Sequence, residues 1–270
     1  MRGVVVELPE GARKRLAELE LQKMAAEDAM RGCAQRINSL PRDGAEQLRE
    51  RLGAERDRHA ERHRQLSILV SRVNQWTVEL RLPPGTTLEP TQTVNVELKP
   101  GETVSTVLAA VRAEIAAVQR ELAQVRSAPL RKSSQQEAVG AYLVRLVQRV
   151  RPKIGFDVRG NARVMWAEDM VAGKDDVLGL LAFALGPQQL LAAFTRELEL
   201  EPERADALTP LERERRIAEL SASLLALERR EEELISRAAN DGVEVLRRPD
   251  AAPLAVFGVE IVAKAQARVA

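Results

Sequence analysis

A seven-residue hydrophobic period over residues 12–80 constrains this chain more than any other feature. Apolar or small residues recur at Leu16, Leu19, Ala26, Met30, Cys33, Ile37 and Leu40, with Lys23 completing steps that alternate three and four. A second series runs through Ala45, Leu48, Leu52, Glu55, His59, Arg62, Leu66, Leu69, Val73, Trp76 and Leu80 with the same alternation. Steps averaging 3.5 residues mark helices packed as a coiled coil. Between the two series stands Pro41-Arg42-Asp43-Gly44. Proline lacks the backbone N–H and its ring clashes with the preceding turn, so the first helix stops there. Ser39 or Asp43 is placed to cap a terminus nearby.

One antiparallel register accommodates both series. Leu40 faces Ala45, Ile37 faces Leu48, Cys33 faces Leu52, Met30 faces Glu55, Ala26 faces His59, Lys23 faces Arg62, Leu19 faces Leu66 and Leu16 faces Leu69. The second helix is then about 50 Å long at 1.5 Å per residue. Lys23 against Arg62 is a like-charge pair, expected to snorkel outward or to pair with Glu27 and Glu61 or with another chain. The polar middle of the seam leaves room for a second chain. In this register His59 lies two turns from Cys33, which leaves the thiol without a histidine partner.

The rest of the chain is also mostly helical. Residues 103–126 carry Val104, Leu108, Val111, Ile115, Val118, Leu122 and Val125 in unbroken heptad steps. Such a seam calls for a partner helix, from this chain or from another copy. Residues 127–136 (SAPLRKSSQQ) read as a linker, followed by a helix over 135–150. Residues 153–166 read as a hairpin turning at Arg159-Gly160-Asn161. Val177–Leu185 and 187–199 form two apolar helices separated by Gly186-Pro187. They hold the densest apolar cluster in the chain, expected to be a helical core or an oligomer interface. Thr209-Pro210-Leu211-Glu212 is a capping box opening a helix with a seam of Ile217, Leu220, Leu224, Leu227, Glu231, Leu234 and Ala238, closed by Asn240-Asp241-Gly242. Leu254–Val262 reads as strand or docked coil. Short β-branched stretches at 3–8, 77–82 and 93–98 predict a small sheet at the open end of the hairpin. The expected fold class is mainly α: a long antiparallel coiled-coil hairpin with further heptad helices and small β elements. Domain boundaries are expected near 82 and 200, giving segments 1–82, 83–200 and 201–270.

Composition narrows the function classes. Hydrophobic residues make up 45% and charged residues 30%, while aromatics are only 3%, which suits rods and small helical modules more than a large enzyme core. With 41 basic and 40 acidic residues there is no global field to draw the chain to nucleic acid or membrane. The single cysteine, Cys33, allows no internal disulfide and implies a reducing or indifferent compartment. No leader and no membrane-spanning segment is read in the sequence. The expected location is the cytoplasm of a host cell, or a virion.

The charge is uneven locally. Residues 126–166 hold nine basic residues against two acidic ones. Arg131, Lys132, Arg145, Arg149, Arg151, Lys153, Arg159 and Arg163 are candidate contacts to a nucleic-acid backbone. A basic face meeting an acidic face of another subunit explains the same charges. Leu108, Val111, Ile115, Val118, Leu122, Leu220, Leu224 and Leu227 are candidate oligomer contacts. His59 and His63 stand four apart on one helix, but no third metal ligand follows them. Asp157, Glu168, Asp169, Asp175 and Asp176 offer a carboxylate set for a divalent cation, though caps and solvated helix ends account for them as well. No phosphate-binding loop, dinucleotide fingerprint or nucleophile elbow is present, so no catalytic, cofactor or metal residue is assigned.

The last 60 residues contain ERRIAELSASLLALERREEELISRAANDGVEVLRRPDAAPLAVFGV. This stretch resembles prophage-encoded proteins of GC-rich bacteria, in which a charged coiled-coil helix leads into an RRPDA-type tail. The resemblance implies a phage-derived assembly or virion component and transfers no functional residue. The expected function is a non-enzymatic, self-associating structural or assembly protein. Two alternatives stand beside it: a nucleic-acid-binding packaging adaptor using 126–166, and a metal-dependent enzyme with an acidic site near 157–176.

Overall fold

The computed structural model describes residues 7–41, 44–92, 96–165 and 174–263. Eight helices and four short strands make the described protein mainly α with minor β, as the periodicities predict. The chain divides into two compact units, one of residues 1–120 with 220–270 and the other of 121–219. This differs from expected boundaries at 82 and 200. The reason is that the C-terminal tail returns to pack with the N-terminal helices, while α3 (Val104–Ser127) and α7 (Pro210–Asn240) each run through a boundary.

In the first unit, α1 (Glu10–Ser39) and α2 (Glu46–Glu79) pack along one another as a helical hairpin. The buried residues of α1 are Ala12, Leu19, Ala26 and Cys33, one every seventh position. From α2 come Leu52, Leu66, Leu69, Val70 and Val73. Leu40 ends α1 in an extended conformation before Pro41, and Gly44 takes φ +77° in the turn, where a side chain would be strained. Ser39 bonds back to the Arg36 carbonyl, and α2 starts without a side-chain cap; Asp43 lies outside the described residues.

The base of the hairpin is closed by the tail. Residues 77–79 continue α2, and the strand that follows is β1 (Thr86–Pro90), antiparallel to β4 (Val259–Ala263). The expected sheet of 3–8, 77–82 and 93–98 is thus corrected: the β partner comes from the far end of the sequence. Residues 3–6 and 93–95 lie outside the described residues, and 96–98 are not strand. Between α7 and β4, Pro253–Phe257 forms a one-turn helix, α8, ended by Gly258 at φ +61°. Leu69, Val70, Val73, Leu80, Leu88, Val256, Phe257 and Val259 share one core. Trp76 packs on Phe257 with ring centroids 5.8 Å apart. This supplies Val73, Trp76 and Leu80 with the partners that the short first helix cannot reach.

A second core joins Val107, Leu108, Val111 and Ile115 of α3 to Leu234 and Ile235 of α7, with Val96 beside them. The clean heptad of α3 therefore meets α7 of the same chain.

The second unit is built on α4 (Lys132–Val150), which packs with α5 (Lys174–Leu185) and α6 (Pro187–Leu200). Helix α4 begins inside the expected linker. Gly179 permits the close approach of α5 to α4: a Cβ there would stand 2.9 Å from Val150 Cγ1 and 3.0 Å from the Leu146 carbonyl oxygen. Strands β2 (Lys153–Phe156) and β3 (Ala162–Met165) form the expected hairpin, with Gly160 at φ +80° in its turn. The capping box at α7 is formed as the sequence predicts: Thr209 N donates to Glu212 Oε2 at 2.9 Å, and Glu212 N to Thr209 Oγ1 at 3.2 Å.

Candidate interaction surface and ionic cluster

The tail is held to α7 by opposite charge. Glu228, Glu231 and Glu232 are buried on one face of α7, where a helix seam ordinarily carries apolar side chains. The segment Arg247-Arg248-Pro249-Asp250 lies against them. Arg248 donates to Glu231 Oε2 at 2.8 Å, Glu228 Oε1 at 2.9 Å and Asp250 at 2.8 Å. Arg247 donates to Glu232 at 2.9 Å. Arg112 of α3 reaches Glu231 Oε1 at 2.7 Å, and Gln119 reaches Asp250 at 2.8 Å. Arg15 of α1 lies 3.8 Å from Glu232. Burial pushes the Glu228 and Glu232 carboxyls above the usual carboxylate range, outweighing the opposing pull of Arg248 and Arg247. The sequence shows this cluster only as two runs of opposite charge, ERREEE and RRPD.

Arg62 also finds its partner in this region. It forms an ion pair with Glu244, just beyond α7, while Glu61 bonds Arg64 and Gln65 and Glu27 bonds Arg31. The expected pairing of Lys23 or Arg62 with Glu27 and Glu61 is corrected for Arg62. At Arg62 the chain's own C-terminal segment lies beside the polar seam.

The basic candidates of 126–166 differ in their surroundings. Arg131 pairs with Glu212 at 3.2 Å and Lys132 Nζ donates to the Glu201 carbonyl. Arg149 lies 3.3 Å from Asp176, whose side chain is buried. Arg145, Arg151, Lys153 and Arg159 are exposed. Arg163 lies on β3, and its side chain lies outside the described residues.

The acidic candidates have separate structural duties. Asp157 Oδ1 accepts from the N–H groups of Arg159 and Asn161 at 2.9 Å, which fixes the hairpin turn and holds its carboxyl below the usual range, the Asn161 bonds contributing most. Asp175 accepts the Tyr142 hydroxyl at 2.7 Å, which raises the phenol. Asp176 faces Arg149, and neither of its oxygens has a hydrogen bond. Glu168 and Asp169 lie outside the described residues. Among the described residues, no ligand set forms near 157–176.

One set does form elsewhere. The ligating atoms of Cys33, Glu55 and His59 all lie within 4.8 Å of one another, and Glu55 Oε1 stands 4.0 Å from His59 Nε2. The expectation that the hairpin delivers no histidine to Cys33 is corrected: imidazole and thiol reach along the seam toward each other. His63 instead faces Ser67 Oγ at 3.4 Å.

The expected oligomer contacts on α3 and α7 are buried or half-buried within one chain. Leu108, Val111, Ile115 and Leu122 are buried, Leu224 and Leu227 pack against the second core, and Val118 and Leu220 are half-buried. Apolar surface is left open on α5 and α6 instead. Val177, Leu181, Phe183 and Leu185 are exposed on α5, and Phe194 and Leu200 on α6. The hairpin adds Ile154, Phe156 and Val158. The two helices meet at 114° about Gly186, which has φ +90°. From Val177 to Leu185 α5 carries no charge, and the charges of α6 are Arg196, Glu197 and Glu199. No single helix among the described residues is long and apolar enough to cross a membrane.

No protein family, curated protein or solved structure matches this chain.

Proposed function

We propose that this is a non-enzymatic structural or assembly protein that self-associates through the apolar surface of α5 and α6. One observation carries the reading: the most apolar run of the sequence exposes Val177 52%, Leu181 47% and Leu185 52%, and Leu200 at the end of α6 is 76% accessible. Exposed apolar surface beyond scattered single residues marks an interaction site, and α5 and α6, which pack on one another, together expose six large apolar side chains. A second copy is the favoured occupant. A two-fold interface places one patch against itself, and a surface with few charges of both signs meets its copy without like-charge repulsion. The resemblance of the C-terminal segment to prophage-encoded proteins supplies the context, a virion or particle-assembly component.

Light scattering coupled to size exclusion tests this. The expected result is a discrete oligomer that dissociates when Leu181 and Leu200 become Glu. A strict monomer overturns the proposal, and so does vesicle binding by a monomer that the same substitutions abolish.

The exposure of Arg145, Arg151, Lys153 and Arg159 supports a second reading, contact with a nucleic-acid backbone during packaging or assembly. Salt-dependent binding of duplex or single-stranded DNA, weakened when Arg145, Arg151 and Arg159 become Ala, is its expected signature. Binding indifferent to salt and to these substitutions dismisses it.

A further inference from the structure

We propose that Cys33, Glu55 and His59 form a zinc(II) site that clamps α1 to α2 midway along the hairpin. Each residue occupies a seam position of its heptad series. Glu55 and His59 are four apart, hence on one face of α2, and Cys33 enters from α1. Cys33 is 4% exposed.

The distances lie close to those of a closed site. In tetrahedral zinc coordination, with Zn–S about 2.3 Å and Zn–N or Zn–O about 2.0–2.1 Å, neighbouring donor atoms stand about 3.3–3.6 Å apart. The observed pair at 4.0 Å and the set within 4.8 Å need an approach of at most about 1.5 Å. Thiolate, imidazole and carboxylate together select a borderline-soft divalent cation and disfavour magnesium or calcium, which take oxygen donors. The side chains of Glu55 and His59 are 38% and 28% accessible, so a water can take the fourth position.

The seam chemistry points the same way. A carboxylate and an imidazole at heptad positions forgo the packing that apolar side chains would give there. Among the described residues neither side chain makes a hydrogen bond, and Glu55 Oε1 stands 4.0 Å from His59 Nε2. Metal binding would supply both with a partner. Cys33 binds as the thiolate and releases its proton to solvent, so affinity falls as the pH is lowered.

The test uses the reduced, full-length protein stripped with a chelator and titrated with cobalt(II), then zinc(II). One cobalt per chain is expected, with thiolate-to-metal charge-transfer absorption and tetrahedral d–d bands that excess zinc abolishes. Cys33→Ala should lose the charge-transfer band, on a seam that already accepts Ala26. His59→Gln should weaken binding by at least about tenfold, since even outer partners of a metal ligand are worth that much. Thermal unfolding of the wild type, which needs no variant, should shift upward with zinc. A wild-type protein that shows no charge-transfer band, a band retained in Cys33→Ala, or an unfolding temperature indifferent to zinc overturns the proposal.

Discussion

The guanidinium of Arg248 is held by Glu231 of α7, Nε to Oε2 at 2.8 Å, across seventeen residues of chain. Glu231 is 2% exposed, and it also accepts from Arg112 of α3. One carboxylate thus ties the tail and two helices of the first unit together. Without Arg248, Glu231 keeps Arg112, but buried Glu228 is left with the Ala252 N–H alone, and stranding a buried charge in this way costs about 3–5 kcal/mol. Arg248→Ala should therefore lower the urea midpoint by an amount corresponding to that loss, with an unchanged m-value. A loss under about 1 kcal/mol would place Arg248 among ordinary surface pairs.

The same cluster sets a pH dependence. Burial raises Glu228 and Glu232 above the ordinary value of 4.5. In the window just above that value the folded chain holds protons that the unfolded chain has released. These two groups therefore favour folding fully below the unfolded pKa, and that contribution is lost as pH rises through the folded pKa. Urea stability measured from pH 7 downward should fall less steeply on acidification in the wild type than in Glu232→Gln. Parallel curves would refute the assignment.

Gly179 sits where α5 meets α4. Alanine normally gains about 1 kcal/mol over glycine in a helix interior. Here its Cβ would meet Val150 at 2.9 Å and the Leu146 carbonyl at 3.0 Å, a backbone contact that cannot rotate aside. Overpacking of this kind costs about 1–3 kcal/mol. Gly179→Ala should thus destabilise, with faster amide exchange in α4 and α5 and little change in α1 and α2. A net gain in stability would show that the two helices separate freely.

The two ends of the hairpin should respond differently. Leu69 is fully buried near the base and Leu48 is 44% exposed near the turn. Leu69→Ala should lose about 2–5 kcal/mol, whereas Leu48→Ala should stay within about 0.5 kcal/mol, as exposed sites do. Equal losses, read by chemical denaturation, would mean that the seam is packed uniformly.

Helix positions were largely legible because each depends on local chemistry. The stop at Pro41, the capping box at Thr209 and Glu212, the turn at Gly160 and the break at Gly186 are fixed by residues a few positions apart. The strand at Thr86–Pro90 was not, because five residues without alternation form a strand only when Val259–Ala263 lies beside them. The seam of α3 was legible as a seam but not as to its partner, since heptads state that a helix needs covering and not which helix covers it. The Cys33, Glu55 and His59 cluster shows the same limit. Facing positions could be paired from the register, but side-chain reach along the seam brings together groups that the pairing leaves apart.

The sequence by itself therefore determined the elements: which stretches are helical, where they stop and which faces are apolar. Periodicity, capping and proline or glycine conformation act over a turn or two, and they are written in the order of residues. Tertiary structure decided the pairings. It sent the RRPD segment onto buried glutamates of α7, closed the α3 seam within the chain, and left α5 and α6 with apolar surface open. Those outcomes turn on burial, and burial depends on every other element that competes for the same surface.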